Sequence, residues 1–288
     1  FDPYSMSSIT MSGGMLGQES VVSPLMVFSS LIKHRNLIWL LTKREVISRY
    51  RGSIAGVMWV FIHPLIMLAV YTVVFNGVFG ARPGSRVNAP LEFGMLLFSG
   101  LIIYSILAES FHRAPHLILN NSNYVKKVVF PLEVLPWMSL CAAVFHALVS
   151  VSVLVVLYAV IYQRLNWTTI FFPVLLIPLV LGVVGLSWIL SSVGVFVRDI
   201  GQAMGPVTTV LLFLSPVFYP ASAMPERYRW LLDLNPLTFL VEQSQNILIL
   251  GILPSWWGLV VYTIVGYCVA WIGLIWFQRT RKAFADVI

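Results

Sequence analysis

The sequence predicts an all-α integral membrane protein, because it alternates long apolar stretches with short polar segments. Hydrophobic residues make up 59% of its 288 residues, charged residues make up 10%, and the mean hydropathy is +0.88. This composition does not supply the wetted surface that a soluble domain needs. A membrane-spanning helix needs about 20 mostly apolar residues, and five of the six stretches approach or exceed that length while the fifth is short. The stretches cover residues 54–79, 93–111, 136–162, 168–197, 203–219 and 256–277.

The distribution of positive charge predicts the orientation of these spans. Of the 18 Lys and Arg residues, thirteen fall on one side of the implied membrane. They are Lys33, Arg35, Lys43, Arg44, Arg49, Arg51, Arg113, Lys126, Lys127, Arg198, Arg279, Arg281 and Lys282. Because cytoplasmic loops carry the excess of basic residues, both termini are expected in the cytoplasm. Attraction to anionic lipid headgroups accounts for the net charge of +7, and no nucleic-acid partner is needed.

The chain is expected to form one membrane domain. Residues 1–30 begin with a stretch rich in Ser, Gly and Met and are predicted to be disordered or extended, and residues 31–288 form the six-helix domain. The cysteines, Cys141 and Cys268, fall inside the third and sixth stretches, where a thiol behaves as a small apolar side chain. The sequence therefore predicts neither a disulfide nor a metal site.

Residues 36–51 have the pattern of an amphipathic helix that lies in the cytoplasmic headgroup region. The segment is too charged to span a membrane, and its Leu and Ile residues favour one helical face. Trp39 and Tyr50 are suited to anchor it in the interface. The alternative is a helix packed on the protein's own cytoplasmic surface.

Two polar residues lie within the first two spans. His63 precedes Pro64, which bends a helix by removing one backbone hydrogen bond. His63 either lines a pathway or is satisfied by a neighbouring helix, and the second reading is favoured. Glu109 lies near the cytoplasmic end of its span and is expected to be a structural partner of a nearby Arg; a proton relay is the alternative.

The segment between the fifth and sixth spans predicts two short external helices, at about residues 225–232 and 236–250. Asn235 before Pro236 is a typical helix N-cap with Pro at the first helical position. Neither helix is long enough to span, so both are expected to re-enter the outer half of the membrane. Four polar side chains are then expected to face water or protein. They are Glu242, Gln243, Gln245 and Asn246.

The loop between the second and third spans predicts a docking element for another protein. Pro115 and Pro131 bracket it, and a short helix is expected within about residues 115–124. Apolar residues exposed on a cytoplasmic loop favour insertion into a cleft of a partner, although packing on the same subunit is the alternative. The predicted contact residues are Pro115, Leu117, Ile118, Leu119, Asn120, Lys126 and Lys127.

The sequence contains no self-contained catalytic motif. No Gly-x4-Gly-Lys-Ser/Thr phosphate-binding pattern, zincin helix or Gly-x-Ser-x-Gly motif occurs, and Asp and Glu together number 11. No catalytic residue and no cofactor is therefore assigned to this chain.

Four segments, in order, resemble the permease subunits of ABC transporters that export bacterial cell-surface polysaccharides. They are residues 43–59, residues 120–136 with the run NNSNYVKKVVFPLEVLP, residues 195–200, and residues 214–219 with 234–236. The resemblance extends from about Lys43 to the C-terminus and is greater to the O-antigen branch than to the capsule branch.

This resemblance implies a homodimer in the bacterial inner membrane, with a separate ATP-binding subunit under each half that binds ATP and Mg. It implies a lipid-pyrophosphate-linked polysaccharide as cargo, moved between the two subunits. Arg49 and Arg51 are predicted to bind the pyrophosphate bidentately, with generic binding of anionic lipid as the alternative. An exporter of a drug or another lipid is an alternative function, and a secondary transporter is a more distant one because no internal repeat is seen.

Aromatic side chains on the first and fifth spans are predicted to line the translocation path, because aromatic faces stack on sugars without a fixed hydrogen-bond pattern. Packing in the core or against lipid is the alternative for each of them. The predicted residues are Trp59, Tyr71, Phe75, Phe213, Phe218 and Tyr219.

Overall fold

A computed structural model describes residues 26–79, 90–125 and 130–287, and the described residues form helices and loops without any strand. The predicted disorder of residues 1–30 falls almost entirely outside these ranges. The α-helices are α1 (Met26–Lys33), α2 (Arg35–Tyr50), α3 (Trp59–Phe79), α4 (Pro90–Arg113), α5 (Ser122–Val125), α6 (Val134–Tyr162), α7 (Phe172–Phe196), α8 (Ile200–Phe213), α9 (Arg229–Leu234), α10 (Pro236–Gln245), α11 (Trp256–Thr280) and α12 (Phe284–Val287).

Five helices of the described chain are long and apolar enough to cross a membrane: α3, α4, α6, α7 and α11. They correspond to five of the six predicted spans. The fifth predicted span is shorter than expected, because α8 has 14 residues and ends at Phe213 instead of Tyr219. Pro216 follows closely, and a proline cannot donate a backbone hydrogen bond and disfavours a helical conformation in the residue before it. Residues 214–217 consequently form turns.

Helices α7 and α11 form the most closely packed pair. A β-carbon on Gly273 of α11 would collide with the carbonyl oxygen of Gly185, and one on Gly185 would lie 2.5 Å from the carbonyl oxygen of Val269. Small residues allow helix backbones to approach in this way. The buried line of α11 runs through Leu259, Gly266, Ala270, Gly273, Leu274 and Phe277.

Polar contacts define two ends of the helix bundle. At the first end, Arg281 after α11 donates to Glu133 before α6 over 3.1 Å, and Thr280 donates to Ser192 of α7. The N-terminal helices α1 and α2 pack on α6 at this same end. Eleven of the thirteen basic residues assigned to the cytoplasmic side lie within the described ranges and belong to segments at this end, which we call the basic end.

At the opposite end, the α6–α7 connection holds the segment that follows α10. Asn166 donates to the carbonyl oxygens of Leu248 and Ile249, and Thr168 donates to that of Ile247 over 2.6 Å. These carbonyls belong to a π-helical turn, Asn246–Leu250, that extends α10. The segment that follows α10 is therefore hydrogen-bonded to the short connection between α6 and α7.

The predicted pair of short helices before α11 is confirmed. The Asn235 side chain accepts a hydrogen bond from the Leu237 backbone, and its amide donates to the Leu211 carbonyl and to Ser215 of the preceding segment. Helix α10 then passes along α4, where Ser244 donates to the Ser99 carbonyl. Asn235 therefore performs two tasks, capping α10 and fastening it to the end of α8.

Candidate functional site

The loop that follows α4 is less helical than the sequence predicts. Residues 114–116 and 119–121 form 3₁₀ turns, and α5 adds four residues at Ser122–Val125. The first turn is wedged against the end of α7, since a β-carbon on Gly194 would collide with the Pro115 carbonyl oxygen. Glycine at position 194 is thus required for the loop to rest on α7.

The expected exposure of the loop's apolar residues is wrong for two of the three. Leu117 is 7% exposed and Ile118 is fully buried, because both side chains join the main core beneath the loop. Leu119 is partly exposed. The surface of the loop is instead polar, with exposed His116, Asn120 and Asn123.

Of the other predicted contact residues, Pro115 is buried against α7, and Asn120 is exposed as a docking residue must be. Lys126 and Lys127 lie outside the described residues. The docking role of all seven residues stays a prediction.

A polar cluster joins α2 to the end of α4 immediately before this loop. Arg49 pairs with Glu109, and Arg113 donates to Glu45 over 2.5 Å. Arg113 also lies 3.7 Å from Glu109. The expectation that Glu109 is the structural partner of a nearby Arg is confirmed.

His146 of α6 completes the cluster. Its Nδ1 lies 3.0 Å from Arg49 Nη1, and its Nε2 lies 3.2 Å from Tyr50 Oη. Because arginine only donates, Nδ1 accepts and Nε2 carries the proton that points to Tyr50. The neutral tautomer is therefore the one that fits this geometry.

The electrostatics of Arg49 follow from its position. Burial, and next the positive charge of Arg113, lower its pKa from the usual 12.5 to about 10. Arg49 nevertheless stays charged at neutral pH, and its charge is met by the Glu109 carboxylate. Arg51, the other predicted headgroup ligand, is exposed just after α2.

The predicted path residues lie on α3, at the end of α8 and in the segment that follows α8. Trp59 is 41% exposed and Phe213 is 62% exposed, whereas Tyr71 is partly buried against the core. The Phe75 side chain lies outside the described residues. His63 is also exposed on α3, which differs from the favoured expectation that a neighbouring helix of the chain satisfies it.

The three aromatic residues near the end of α8 form one small group. The Phe213 and Phe218 ring centroids are 6.0 Å apart, and Tyr219 donates to the Phe213 carbonyl oxygen over 2.8 Å.

Two polar side chains of α10 face protein, as predicted. Gln243 accepts from the Ser255 backbone over 2.9 Å, and Gln245 donates to the Pro216 carbonyl oxygen.

Among the described residues, no group of three His, Cys, Asp or Glu side chains is placed to hold a metal ion.

Sequence reasoning missed Glu45, Arg113 and His146 as partners in the polar cluster. A signal was present, since Glu45 with Arg49 and Glu109 with Arg113 are acid–base pairs four residues apart, a spacing that brings side chains together on a helix. The structure keeps Arg113 3.7 Å from Glu109 and adds two ion pairs that cross between α2 and α4, which the spacing alone does not indicate.

The chain matches a known protein family over most of its length. The family model described as "ABC-2 type transporter" matches residues 36–249. This range begins in α2 and ends in the π-helical turn after α10, so it includes both the polar cluster and the loop.

Individual relatives are similar over nearly their whole length. The O-antigen export system permease protein RfbA of Myxococcus xanthus is 28% identical over 260 residues, which cover 90% of this chain and 97% of that protein. RfbA of Klebsiella pneumoniae is 24% identical over 88% of this chain and 95% of that protein. The polysialic acid transport protein KpsM of Escherichia coli is 22% identical over 83% of this chain and 92% of that protein.

Proposed function

This chain belongs to the ABC-2 type transporter family as a multi-pass membrane permease, and we propose that it exports an O-antigen-like, lipid-linked polysaccharide across the bacterial inner membrane. The observation that carries the cargo assignment is the similarity to RfbA proteins over about nine-tenths of this chain. Export of a capsular polysaccharide is the second candidate, favoured by the more distant similarity to KpsM.

The energy for export is assigned to a separate ATP-binding subunit that binds ATP and Mg. This chain is a transport subunit, and its sequence contains no phosphate-binding loop of the Walker type. The loop after α4 is the proposed docking element because it lies at the basic end and exposes polar side chains there. Its exposed His116, Asn120 and Asn123 make the contact, together with Leu119, Lys126 and Lys127, while Leu117 and Ile118 hold the loop in place.

The basic end is proposed to face the cytoplasm, with both chain termini there. Helix α8 then makes the sixth crossing together with the turns after Phe213, since a helix of 14 residues extends only about 21 Å. The α9–α10 pair re-enters from the outer side. Support comes from α10, which packs beside α4 with its polar side chains turned toward protein.

A second copy of the chain is proposed to cover α3 and α8. Within residues 59–74 of α3, the part whose side chains the structure describes, only a narrow stripe is buried, at Val60, Pro64 and Leu68. The aromatic residues listed above flank the open surface. A polysaccharide cannot cross hydrocarbon, so a surface between two subunits that is rich in aromatic and polar groups is the route proposed for it.

Recognition of the pyrophosphate by Arg49 and Arg51 is kept as a narrower proposal. A bound pyrophosphate must displace Glu109 from Arg49, whereas Arg51 is exposed and available without such an exchange. Replacing each arginine by lysine keeps the charge and removes the bidentate geometry. Normal export by the Arg51→Lys variant would exclude bidentate recognition at that position.

The function is tested by expressing the permease with its ATP-binding subunit in cells that make a lipid-linked O-antigen but lack its exporter. We expect polysaccharide at the cell surface, lost when the Walker lysine of the partner is replaced. Export that survives this replacement but stops with an uncoupler would instead identify a secondary transporter. Cells that supply a capsular polysaccharide provide the comparison for cargo.

A further inference from the structure

Helix α2 makes polar contacts at the start and near the middle of the loop between α4 and α6. At the start of the loop, Glu45 accepts from Arg113, the last residue of α4. Further along the loop, near its middle, Arg44 donates to the Tyr124 hydroxyl of α5 over 3.0 Å. Adjacent residues of α2 thus reach two points that are eleven positions apart in the chain.

The apolar contacts of α2 go elsewhere. Ile38 and Leu41 are 4% and 5% exposed and belong to the main core, and Thr42 donates weakly to the Met138 carbonyl of α6 over 3.5 Å. One side of α2 therefore rests on α6, while its charged residues hold α4 and the loop. A helix that lies only in the headgroup layer does not need the polar contacts to α4 and the loop.

The ion pairs between α2 and α4 are also partly shielded from water. The side chains of Arg49 and Glu109 are 24% and 22% exposed, and those of Arg113 and Glu45 are 28% and 27% exposed. Ion pairs at this depth are screened less than those on an open surface, and two crossed pairs resist sliding better than one.

We propose that α2 is mechanically tied to the loop between α4 and α6, so that a displacement of the loop by the ATP-binding subunit moves α2 with it. Glu45 and Arg113 are the positioning residues of this tie, and Arg44 with Tyr124 supports it. The proposal rests on the proposed function in one respect, since it takes the loop as the docking element of the ATP-binding subunit.

The first experiment tests the tie in the purified permease without any partner. In a background with Cys141→Ala and Cys268→Ala, Leu41→Cys places a thiol in the contact between α2 and α6, and its reaction with a water-soluble maleimide reports release of α2. Leu40→Cys, on a residue 64% exposed, is the matched control that is labelled in every variant.

Charge reversal and charge exchange then separate the ion pair from general damage. We expect Glu45→Arg and Arg113→Glu each to raise the labelling rate of Leu41→Cys about tenfold, the factor that corresponds to about 1.4 kcal/mol. The double exchange is expected to restore slow labelling. Unchanged labelling in both single variants, or fast labelling that the exchange does not correct, would overturn the tie.

The second experiment tests transmission in the complex with the ATP-binding subunit, reconstituted in liposomes. Spin labels on Leu40→Cys of α2 and Arg279→Cys of α11 report the distance between α2 and the closely packed core. We expect ATP to change this distance, Glu45→Arg to abolish the change while ATP hydrolysis continues, and the double exchange to recover it.

The outcomes distinguish this proposal from the proposed function. If the complex hydrolyses ATP and exports cargo while the distance stays constant, the tie is not a transmission element and the proposed function stands. If no complex forms and nothing is exported, the proposed function fails, and the maleimide experiment alone decides whether α2 is tied to the loop.

Discussion

Helices α7 and α3 are both long and apolar, yet they use their surfaces in opposite ways. Half of the spanning part of α7 is buried, and it meets α11 along a line of small residues; only 17% of the spanning part of α3 is buried. In lipid, an apolar side chain gains no hydrophobic energy by turning toward another helix, so close packing depends on small residues that let backbones approach. The contrast separates a fixed part of the molecule from a surface open to lipid or to a second subunit.

The largest effect is expected where this packing is closest. Gly273→Leu forces α11 away from the Gly185 backbone, which cannot shift as a flexible side chain can. We expect a loss of more than about 3 kcal/mol, the upper end for overpacking, measured as loss of monodisperse permease after heating in detergent. Gly182→Ala in α7 is the matched control, because its new β-carbon meets no atom within 4 Å; equal loss in both variants would contradict this view.

The buried side chains of the loop after α4 attach the loop to the closely packed part of the molecule. Substitutions can separate this structural role from docking of the ATP-binding subunit. Ile118→Asp is expected to destabilise the permease by about 3 kcal/mol or more, since removing a buried Ile side chain alone costs about 2–5 kcal/mol. Asn120→Asp, on the exposed surface, is expected to keep the melting temperature while weakening co-purification of the ATP-binding subunit. Loss of co-purification without loss of stability in Ile118→Asp would show that this side chain is a docking residue after all.

Substitutions of the aromatic residues on α3 and near the end of α8 are expected to reduce transport while having little effect on folding. Single Ala substitutions at Trp59, Tyr71, Phe75, Phe213 and Phe218 should lower export by about two- to tenfold each, the range that corresponds to about 0.5–1.5 kcal/mol for an aromatic contact. Subunit assembly and ATP hydrolysis are expected to remain. Wild-type export rates in all five variants would place the path on other helices.

The smallest effect is expected on the open face of α3 away from the aromatic residues. Val73 is 71% exposed, so Val73→Ala should change the free energy of unfolding by less than about 0.5 kcal/mol. Thermal denaturation of the purified permease measures this. A large loss would indicate that Val73 is buried by a second copy under the conditions of the measurement.

The candidate site shows where sequence reasoning stops being sufficient. Asn235 was predicted as a helix cap because capping depends on residues next to each other in the chain, and the structure confirms it. The burial of Leu117 and Ile118 depends on what lies beneath the loop, including the space that Gly194 leaves for Pro115. That space is contributed by a helix about 80 residues further along the sequence, so the loop pattern contained no sign of it.

By itself the sequence determined the membrane class, five helices of spanning length, the clustering of basic residues at one end and the resemblance to polysaccharide exporters. These properties follow from composition, local periodicity and short motifs. The thickness of the bilayer sets the length of an apolar span, and the charge of the loops sets its orientation. Only the tertiary structure decided which faces of the spans are buried, how the ion pairs cross between α2 and α4, and that α8 ends early. An apolar residue in a span has the same hydropathy whether it faces lipid or protein, so its partner is set by the packing of helices that are distant in the chain.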